Sequence, residues 1–138
     1  MKLFSYSPRN NQKDGLISPK INLSVSNDLS LIFDIAYQNR MSNVYFQDTL
    51  KIFISTNCGV SYDYLVYQKS GDELSTLDTN SYDFIPEYLT HWRNDTVKLS
   101  SFSNEDILIK FETTNRGGNN LYLDNIKIFE GVSAPLSI

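Results

Sequence analysis

The feature that most constrains the fold of this chain is a repeated alternation of apolar and polar residues. The alternation is clearest in residues Leu29–Gln38, Asp48–Thr56 and Asp106–Thr114. Successive side chains of a strand point to opposite faces of a sheet, so each run predicts a strand with one buried face. Turn-forming clusters separate these runs, and the whole pattern predicts about seven strands and no amphipathic helix. We therefore predict an all-β fold, an antiparallel β-sandwich.

The inward-facing residues of these runs are the predicted core. They are Leu31, Phe33, Ile35, Leu50, Ile52, Ile54, Val97, Ile107, Ile109, Phe111 and Ile126. A chain of 138 residues is the size of one ordinary domain with a single core. We assign residues 16–131 to the sandwich, residues 1–15 to an irregular N-terminal segment that begins a fragment, and residues 132–138 to a tail or linker.

Composition and charge exclude several classes of function. A net charge of -4 and a pI of about 4.8 argue against a nucleic-acid partner, because phosphates require a basic face. Cys58 is the single cysteine, so neither an intrachain disulfide nor a thiolate metal cluster can form. No stretch approaches the roughly 20 apolar residues of a membrane span, and the N-terminus lacks the apolar region of an export signal. We expect either a cytosolic protein or a piece of a longer exported protein.

The stretch from Arg116 to Ile128 combines a turn with an acidic residue inside a strand. Gly117, Gly118, Asn119 and Asn120 favour a turn that leads into the last strand. Within that apolar strand stands Asp124. A carboxylate half buried in a strand must be paired, hydrogen-bonded or bound to a cation, since burying it bare is costly.

Calcium is the candidate cation, because carboxylate, amide and carbonyl oxygens are its ligands. Asp124 is the leading ligand, and its alternative role is a strand-end carboxylate bonded to a turn. Asp14 and Asn11 could approach it from the loop before the first predicted strand, or could be ordinary turn residues. Asp34 could also bind the metal, or could join a hydrogen-bond network with Tyr37 or Trp92.

A long polar segment, Leu74–Thr90, has no sustained period and is longer than a plain connection. Tyr82, Tyr88 and Trp92 lie in or beside it. Aromatic faces bind the apolar face of a sugar ring, so these three residues could form a glycan platform, or could serve only to pack the loop.

No reaction is predicted from the sequence. His91 is the single histidine and lacks the companions of a zinc site or a triad. Cys58 precedes Gly59 in a turn, where an idle thiol is the simplest interpretation. Acidic residues are plentiful, but none lies in a setting that singles out a glycosidase pair.

Two motifs carry a resemblance to a known family. DTLKIFISTNCG begins at Asp48 and GNNLYLDNI begins at Gly118. Together with the order LISPKINLS, LIFDIAYQ and FIPEYLTHW, they resemble the jelly-roll sandwich domains of bacterial secreted proteins described as cleaved-adhesin, choice-of-anchor or MAM-like domains. The resemblance covers roughly Asp14 to Gly131.

The resemblance implies a galactose-binding-like jelly roll in a secreted or cell-surface protein. Such domains commonly follow a secreted metallopeptidase or repeat along adhesins, which implies a non-catalytic accessory module that binds a surface glycan, a protein or its neighbouring domains. Members usually open with a strand whose Glu shares a calcium ion with the Asp of the last strand, whereas here Phe4 is followed by Ser5. The alternative functions are a small sandwich-fold glycan hydrolase or lyase, and a purely structural spacer.

Overall fold

A computed structural model describes residues 1–4, 11–24, 26–40 and 47–131 of the chain. Its strands are β1 (Lys2–Phe4), β2 (Lys13–Ile17), β3 (Ile21–Asn22), β4 (Leu29–Tyr37), β5 (Thr49–Ser55), β6 (Tyr64–Ser70), β7 (Arg93–Lys98), β8 (Asp106–Thr114) and β9 (Leu121–Glu130). A single turn of α-helix, α1 (Gly71–Leu74), follows β6, and short 3-10 turns occur at Leu89–His91 and Ser100–Phe102. Within the described residues, no helix is long and apolar enough to cross a membrane.

The strands form two antiparallel sheets that face each other. One sheet has the order β1-β9-β4-β7, and the other has the order β2-β8-β5-β6 with β3 pairing β8. We call them sheet A and sheet B. The strand β4 lies between β7 and β9, and β8 lies between β2 and β5. The all-β sandwich predicted from the alternation is confirmed, while its jelly-roll subtype stays a prediction.

The core lies between the inner faces of the two sheets. Its fully or nearly fully buried side chains include ten of the eleven predicted residues: Leu31, Phe33, Ile35, Leu50, Ile52, Ile54, Val97, Ile107, Ile109 and Phe111. Phe33 of sheet A packs edge-on against Tyr67 and Phe111 of sheet B, with ring centroids 5.4 and 5.5 Å apart. Aromatic pairs in this geometry add about 1 kcal/mol to the burial of their area.

Ile126 is the core prediction that is wrong, because its side chain is 38% exposed. Between the pairs Ile32–Lys127 and Asp34–Asp124, one residue of β4 faces two residues of β9. This bulge includes Asn125, whose φ of 49° is left-handed. Ile126 is the second bulge residue and lies beside the core residues Leu31 and Phe111. The part of the chain that the structure describes leaves it partly uncovered.

The N-terminal segment also differs from the prediction. We expect residues 1–15 to be irregular, yet β1 pairs with β9 and Lys13–Gly15 belong to β2. Residues 5–10 lie outside the part of the chain that the structure describes. The alternation does not reveal β2, because β2 is the edge strand of sheet B and its outward residues, such as Lys13, are exposed to solvent. Pro19 lies between β2 and β3, since proline cannot donate a ladder hydrogen bond.

Candidate functional site

The buried carboxylate of Asp48 lies just before β5 and is surrounded by hydrogen-bond donors. Its Oδ1 atom accepts hydrogen bonds from the backbone N–H of Arg116 at 2.7 Å and of Gly118 at 3.2 Å. Its Oδ2 atom accepts from the N–H of Asn119 at 2.9 Å and from the Tyr37 hydroxyl at 3.0 Å. Four donors therefore surround a side chain that is fully buried.

Burial raises the pKa of Asp48 above its ordinary value, although the backbone N–H bonds and Tyr37 act in the opposite direction. Burial also raises the pKa of Tyr37, and the neighbouring Asp48 charge adds to the effect. Both oxygens of Asp48 are already engaged and neither meets solvent. The group is therefore suited to holding the turn in place, and it has no free position for a substrate or a metal.

The turn before β9 is built to fit this carboxylate. A Cβ atom on Gly118 would lie 2.0 Å from Asp48 Oδ2 and 2.6 Å from the Tyr37 hydroxyl oxygen. Such distances are far below van der Waals contact, so glycine is required here by the close approach of the backbone. Gly117 has a φ of 81°, which supplies the left-handed step of the turn.

The same turn holds the long loop between α1 and β7. Asn119 accepts a hydrogen bond from the N–H of Phe84 at 2.9 Å and donates to the carbonyl of Tyr82 at 2.8 Å. Asn120 donates to the carbonyl of Phe84 at 3.0 Å and to the Asp83 carboxylate. The Tyr122 hydroxyl also donates to the carbonyl of Phe84, at 3.1 Å. These bonds hold the middle of the loop against the N-terminal end of β9.

Further bonds fix both ends of the loop. Asn39 donates to Asp72 at 2.8 Å, and its carbonyl accepts from the N–H of Asn80 at 2.9 Å. Thr76 donates its hydroxyl hydrogen toward the carbonyls of His91 and Tyr37, at 2.7 and 3.1 Å. The predicted long loop is thus present, and it is tied to the sandwich along its length.

Four large apolar side chains of this tied loop are exposed to solvent. They are Tyr82 at 76%, Ile85 at 62%, Tyr88 at 65% and Leu89 at 91% exposure. We call this set the loop platform. Between them Phe84 is buried and packs against His91 and Tyr122 at centroid distances of 6.0 and 6.1 Å. The buried ring anchors the loop while its neighbours stay available for contact.

Of the three predicted glycan-platform residues, Tyr82 and Tyr88 belong to the loop platform, whereas Trp92 is only partly exposed. The ring of Tyr88 packs edge-on against His91 at 5.1 Å. His91 also accepts the N–H of Glu87 on Nδ1 at 3.1 Å, so this histidine has a structural role in the loop. Cys58 is exposed in a turn, with a φ of 59°.

The predicted metal ligands are divided between the two sheets. Asp124 lies on β9 of sheet A, directly opposite Asp34 of β4. Asp14 lies on β2 of sheet B, opposite Thr113, and Asn11 precedes that strand with a φ of 55°. Across the described parts of the chain, no three His, Cys, Asp or Glu side chains form a set that could hold a metal ion. The two carboxylates of sheet A supply only part of the six to eight oxygens that calcium takes.

The expectation that Asp124 is half buried is wrong. Asp124 pairs with Asp34 on the outer face of sheet A, since its neighbour Leu123 faces the core, and it is exposed to solvent. Its Oδ1 accepts the N–H of Asn125 at 2.8 Å. Asp34 does join a hydrogen-bond network, but its partners are Asn94 at 2.9 Å and Asn125 at 2.8 Å rather than Tyr37 or Trp92. Calcium binding itself stays a prediction.

A second buried carboxylate, Asp95 of β7, links the edge strand of sheet A to β6, the edge strand of sheet B. It accepts the Tyr67 hydroxyl at 2.6 Å and Lys69 at 3.2 Å from sheet B, and Arg93 at 2.7 and 3.0 Å from its own strand. Burial opposes the charge, but the bonds from Arg93 and Tyr67 outweigh it and hold the pKa of Asp95 below its ordinary value. Burial and Asp95 together raise the pKa of Tyr67.

Sequence reasoning missed Asp48, Asn119 and Asp95 as organising residues. A signal existed for the first two, because an acidic residue opens the apolar run DTLKIFIS and a Gly-Gly-Asn-Asn turn precedes β9. Nothing in the sequence connects the two, since the carboxylate and the turn are 68 to 71 residues apart along the chain.

Comparisons with known proteins give a distant likeness to solved structures. No protein family matches the sequence, and no curated protein is significantly similar to it. The K3 cleaved adhesin domain of Lys-gingipain from Porphyromonas gingivalis W83 is similar to the fold, with a TM-score of 0.48 and 12% identity over 90% of this chain and 71% of that chain. At this distance the likeness says nothing about what this chain binds.

Proposed function

We propose that this chain is a non-catalytic, adhesin-like binding module of a secreted or cell-surface bacterial protein, and that the loop platform is its contact surface. The observation that carries the proposal is the exposure of four large apolar side chains on a loop that is fixed to the sandwich. Exposed apolar clusters mark interaction sites, and a loop already held in one conformation loses little entropy when a partner binds.

A partner protein fits this surface better than a glycan. Ile85 and Leu89 are aliphatic, and together with Tyr82 and Tyr88 they match the buried anchors of protein interfaces. A glycan site needs aromatic faces beside convergent polar groups, and Trp92, the best stacking residue, is partly covered. Other domains of a parent protein belong to the same class of partner. The secreted setting is suggested by the resemblance of the DTLKIFISTNCG and GNNLYLDNI motifs.

The non-catalytic part of the proposal is supported by how the polar groups are used. Asp48 accepts four hydrogen bonds in the interior, and His91 accepts a backbone N–H within the loop. These groups hold the chain in shape.

The experiment compares binding by the wild-type protein and two variants on arrays of purified secreted proteins and of glycans. The first variant is the double substitution Tyr88→Ser and Leu89→Ser in the loop platform. The matched control is Val60→Ser, which removes an apolar side chain that is 86% exposed at the turn after β5. We expect a protein ligand whose binding the double variant loses and the control keeps.

Other outcomes contradict the proposal in distinct ways. Ligands found only on the glycan array would assign the surface to sugar recognition. Equal binding by the double variant and the control would remove the loop platform as the contact surface. Absence of any ligand on either array would favour a structural spacer, and hydrolysis of an arrayed glycan would favour the enzyme alternative.

A further inference from the structure

The loop platform lies outside sheet A, on the side of the sandwich away from sheet B. Tyr122 pairs with Ala36, whose chain neighbours Ile35 and Tyr37 belong to the core, so the ring of Tyr122 points out of sheet A. The ring of Phe84 in the loop packs against that ring at a centroid distance of 6.1 Å. The loop platform and the outer face of sheet B are therefore on opposite sides of the molecule.

The loop platform is surrounded by negative charge. The segment Leu74–Thr90 contains Asp78, Asp83 and Glu87, and it contains no lysine or arginine. All three acidic residues are exposed to solvent. Asp83 follows Tyr82 in the chain and Glu87 precedes Tyr88, so the charges lie beside the exposed apolar side chains. A partner that covers this surface must supply positive charge next to apolar area.

The outer face of sheet B carries an excess of positive charge. Two rows of outward side chains cross this sheet, because the residues that alternate with them are buried in the core. These rows and the adjoining Lys13 form a surface that we call the basic face: Lys13, Ile17, Lys51, Phe53, Leu65, Lys110 and Glu112. It holds three lysines against one glutamate. Two carboxylates border it at one end, Asp106, which pairs with Lys20 at 3.4 Å, and Asp63, which accepts the hydroxyl of Ser61 at 2.7 Å.

The basic face also offers apolar area between its ammonium groups. Ile17 is 52% exposed and Leu65 is 49% exposed. Lys110 lies over the rings of Tyr62 and Phe53, with its Nζ atom 5.3 and 6.0 Å from their centroids. The basic face therefore combines positive charge with exposed aliphatic side chains, which is what the loop platform requires of a partner.

We propose that the loop platform of one copy of this chain docks on the basic face of a second copy. The inference rests on the proposed role of the loop platform as a contact surface, and it adds the identity of the partner. In this arrangement Asp83 and Glu87 meet the lysines of the basic face. A symmetric dimer would instead place acidic loop against acidic loop, or lysine against lysine, and such like-charge contacts are costly. Because the two surfaces lie on opposite sides of the molecule, the contact is head-to-tail and builds open chains.

Sedimentation velocity of the full chain, at protein concentrations from about 10 μM to about 1 mM, measures this association. We expect the mean mass to rise with concentration and to exceed that of a dimer. The association should weaken when salt is raised from about 0.02 M to about 1 M, because salt screens exposed charges. Carbodiimide cross-linking of a mixture of unlabelled and isotope-labelled protein locates the contact. We expect mixed-isotope cross-links that join Asp83 or Glu87 to a lysine of the basic face.

Charge reversals test the pairing of the two surfaces. Glu87→Lys and Lys51→Glu should each lower the association constant by about tenfold or more, since an attractive contact becomes repulsive. An equal mixture of the two variants should recover the association, because the reversed loop of one then meets the reversed face of the other. The matched controls are Glu130→Lys and Lys127→Glu, which make the same changes in net charge at exposed positions of β9. Both controls should associate like the wild type.

Several results would overturn this inference. They are a monomer at every concentration, growth that stops at a dimer, cross-links elsewhere, charge reversals that act like their controls, and a mixture that does not recover. The proposed function is tested separately by the arrays. If the protein stays monomeric while Tyr88→Ser with Leu89→Ser still abolishes binding to an arrayed protein, the loop platform keeps its proposed role and only the second copy is excluded as its partner.

Discussion

Substituting Gly118 by alanine tests how tightly the turn before β9 holds the buried carboxylate. The new Cβ would lie 2.0 Å from Asp48 Oδ2, whereas unbonded heavy atoms need about 3.5 Å. The carboxylate or the turn must therefore move by more than about 1 Å. Both hydrogen bonds at Oδ2, from Asn119 and Tyr37, are lost or badly stretched by such a shift.

The expected cost follows from these two bonds. A hydrogen bond to a buried charged group contributes about 1.5–3 kcal/mol. Two such bonds give about 3–6 kcal/mol, and the lower entropy of an unfolded chain with alanine returns up to about 1 kcal/mol. We expect Gly118→Ala to lower the free energy of unfolding by about 2–6 kcal/mol, a large share of the about 5–15 kcal/mol that stabilises a typical domain. For a chain of this size, that loss lowers Tm by roughly 7–20 °C.

The measurement is urea and thermal unfolding followed by far-ultraviolet circular dichroism, with Gly15→Ala as the matched control. Gly15 lies in β2, and a Cβ there would meet its nearest neighbour, the Phe111 carbonyl, at 3.5 Å. This is ordinary contact, so the control should stay within about 1 kcal/mol of wild type. Equal free energies of unfolding for Gly118→Ala and Gly15→Ala would show that the turn does not approach Asp48 this closely. Should Gly118→Ala fail to fold, Tyr37→Phe removes one donor and should cost about 1.5–3 kcal/mol.

Three other predictions concern acid stability, the loop and calcium. The pKa of Asp95 is lowered on folding, so its carboxylate stabilises the protein above its ordinary pKa of about 4, and that stabilisation is lost as the pH falls below this value. The variant Asp95→Asn should therefore show a smaller fall in the urea midpoint between about pH 5 and pH 2 than the wild type. An unchanged fall would show that other carboxylates cause the loss of stability in acid. Asn119→Ala removes the acceptor for Phe84 and the donor for Tyr82, so limited proteolysis at Tyr82 and Phe84 should accelerate about fivefold or more, with Asn80→Ala as the control. If calcium binds at Asp124, excess calcium should raise Tm and Asp124→Asn should remove the increase, whereas identical melting in calcium and in chelator would show that hydrogen bonds alone satisfy this carboxylate.

The loop prediction rests on a chosen control. Asn80 lies in the same loop and accepts the N–H of Tyr82 at 3.1 Å, but this contact is local and exposed. A loss of order confined to Asn119→Ala would therefore come from the bonds between β9 and the loop. Equal proteolysis of both variants would contradict the role given to Asn119.

The sequence by itself determined the strands and the core. Period-two alternation fixes which residues of β4, β5 and β8 face inward, because burial of one face is a local consequence of strand geometry. Ten predicted core positions were confirmed for this reason. The exception, Ile126, faces inward as predicted but lies in a bulge where the described residues leave it partly uncovered, and neither feature leaves a periodic signal.

Only the tertiary structure decided which polar residues organise the molecule. Asp124 attracted attention because it interrupts an apolar strand, yet it lies on the outer face of sheet A and is exposed to solvent. Asp48 looked like an ordinary strand start, and it became the anchor only when folding brought the turn at Arg116–Asn119 around it. Hydrogen bonds between segments that are distant in sequence depend on sheet order and register, which local propensity does not encode. The alternation therefore predicts which side chains are buried, whereas the partner of a buried charge is set by the packing of the whole chain.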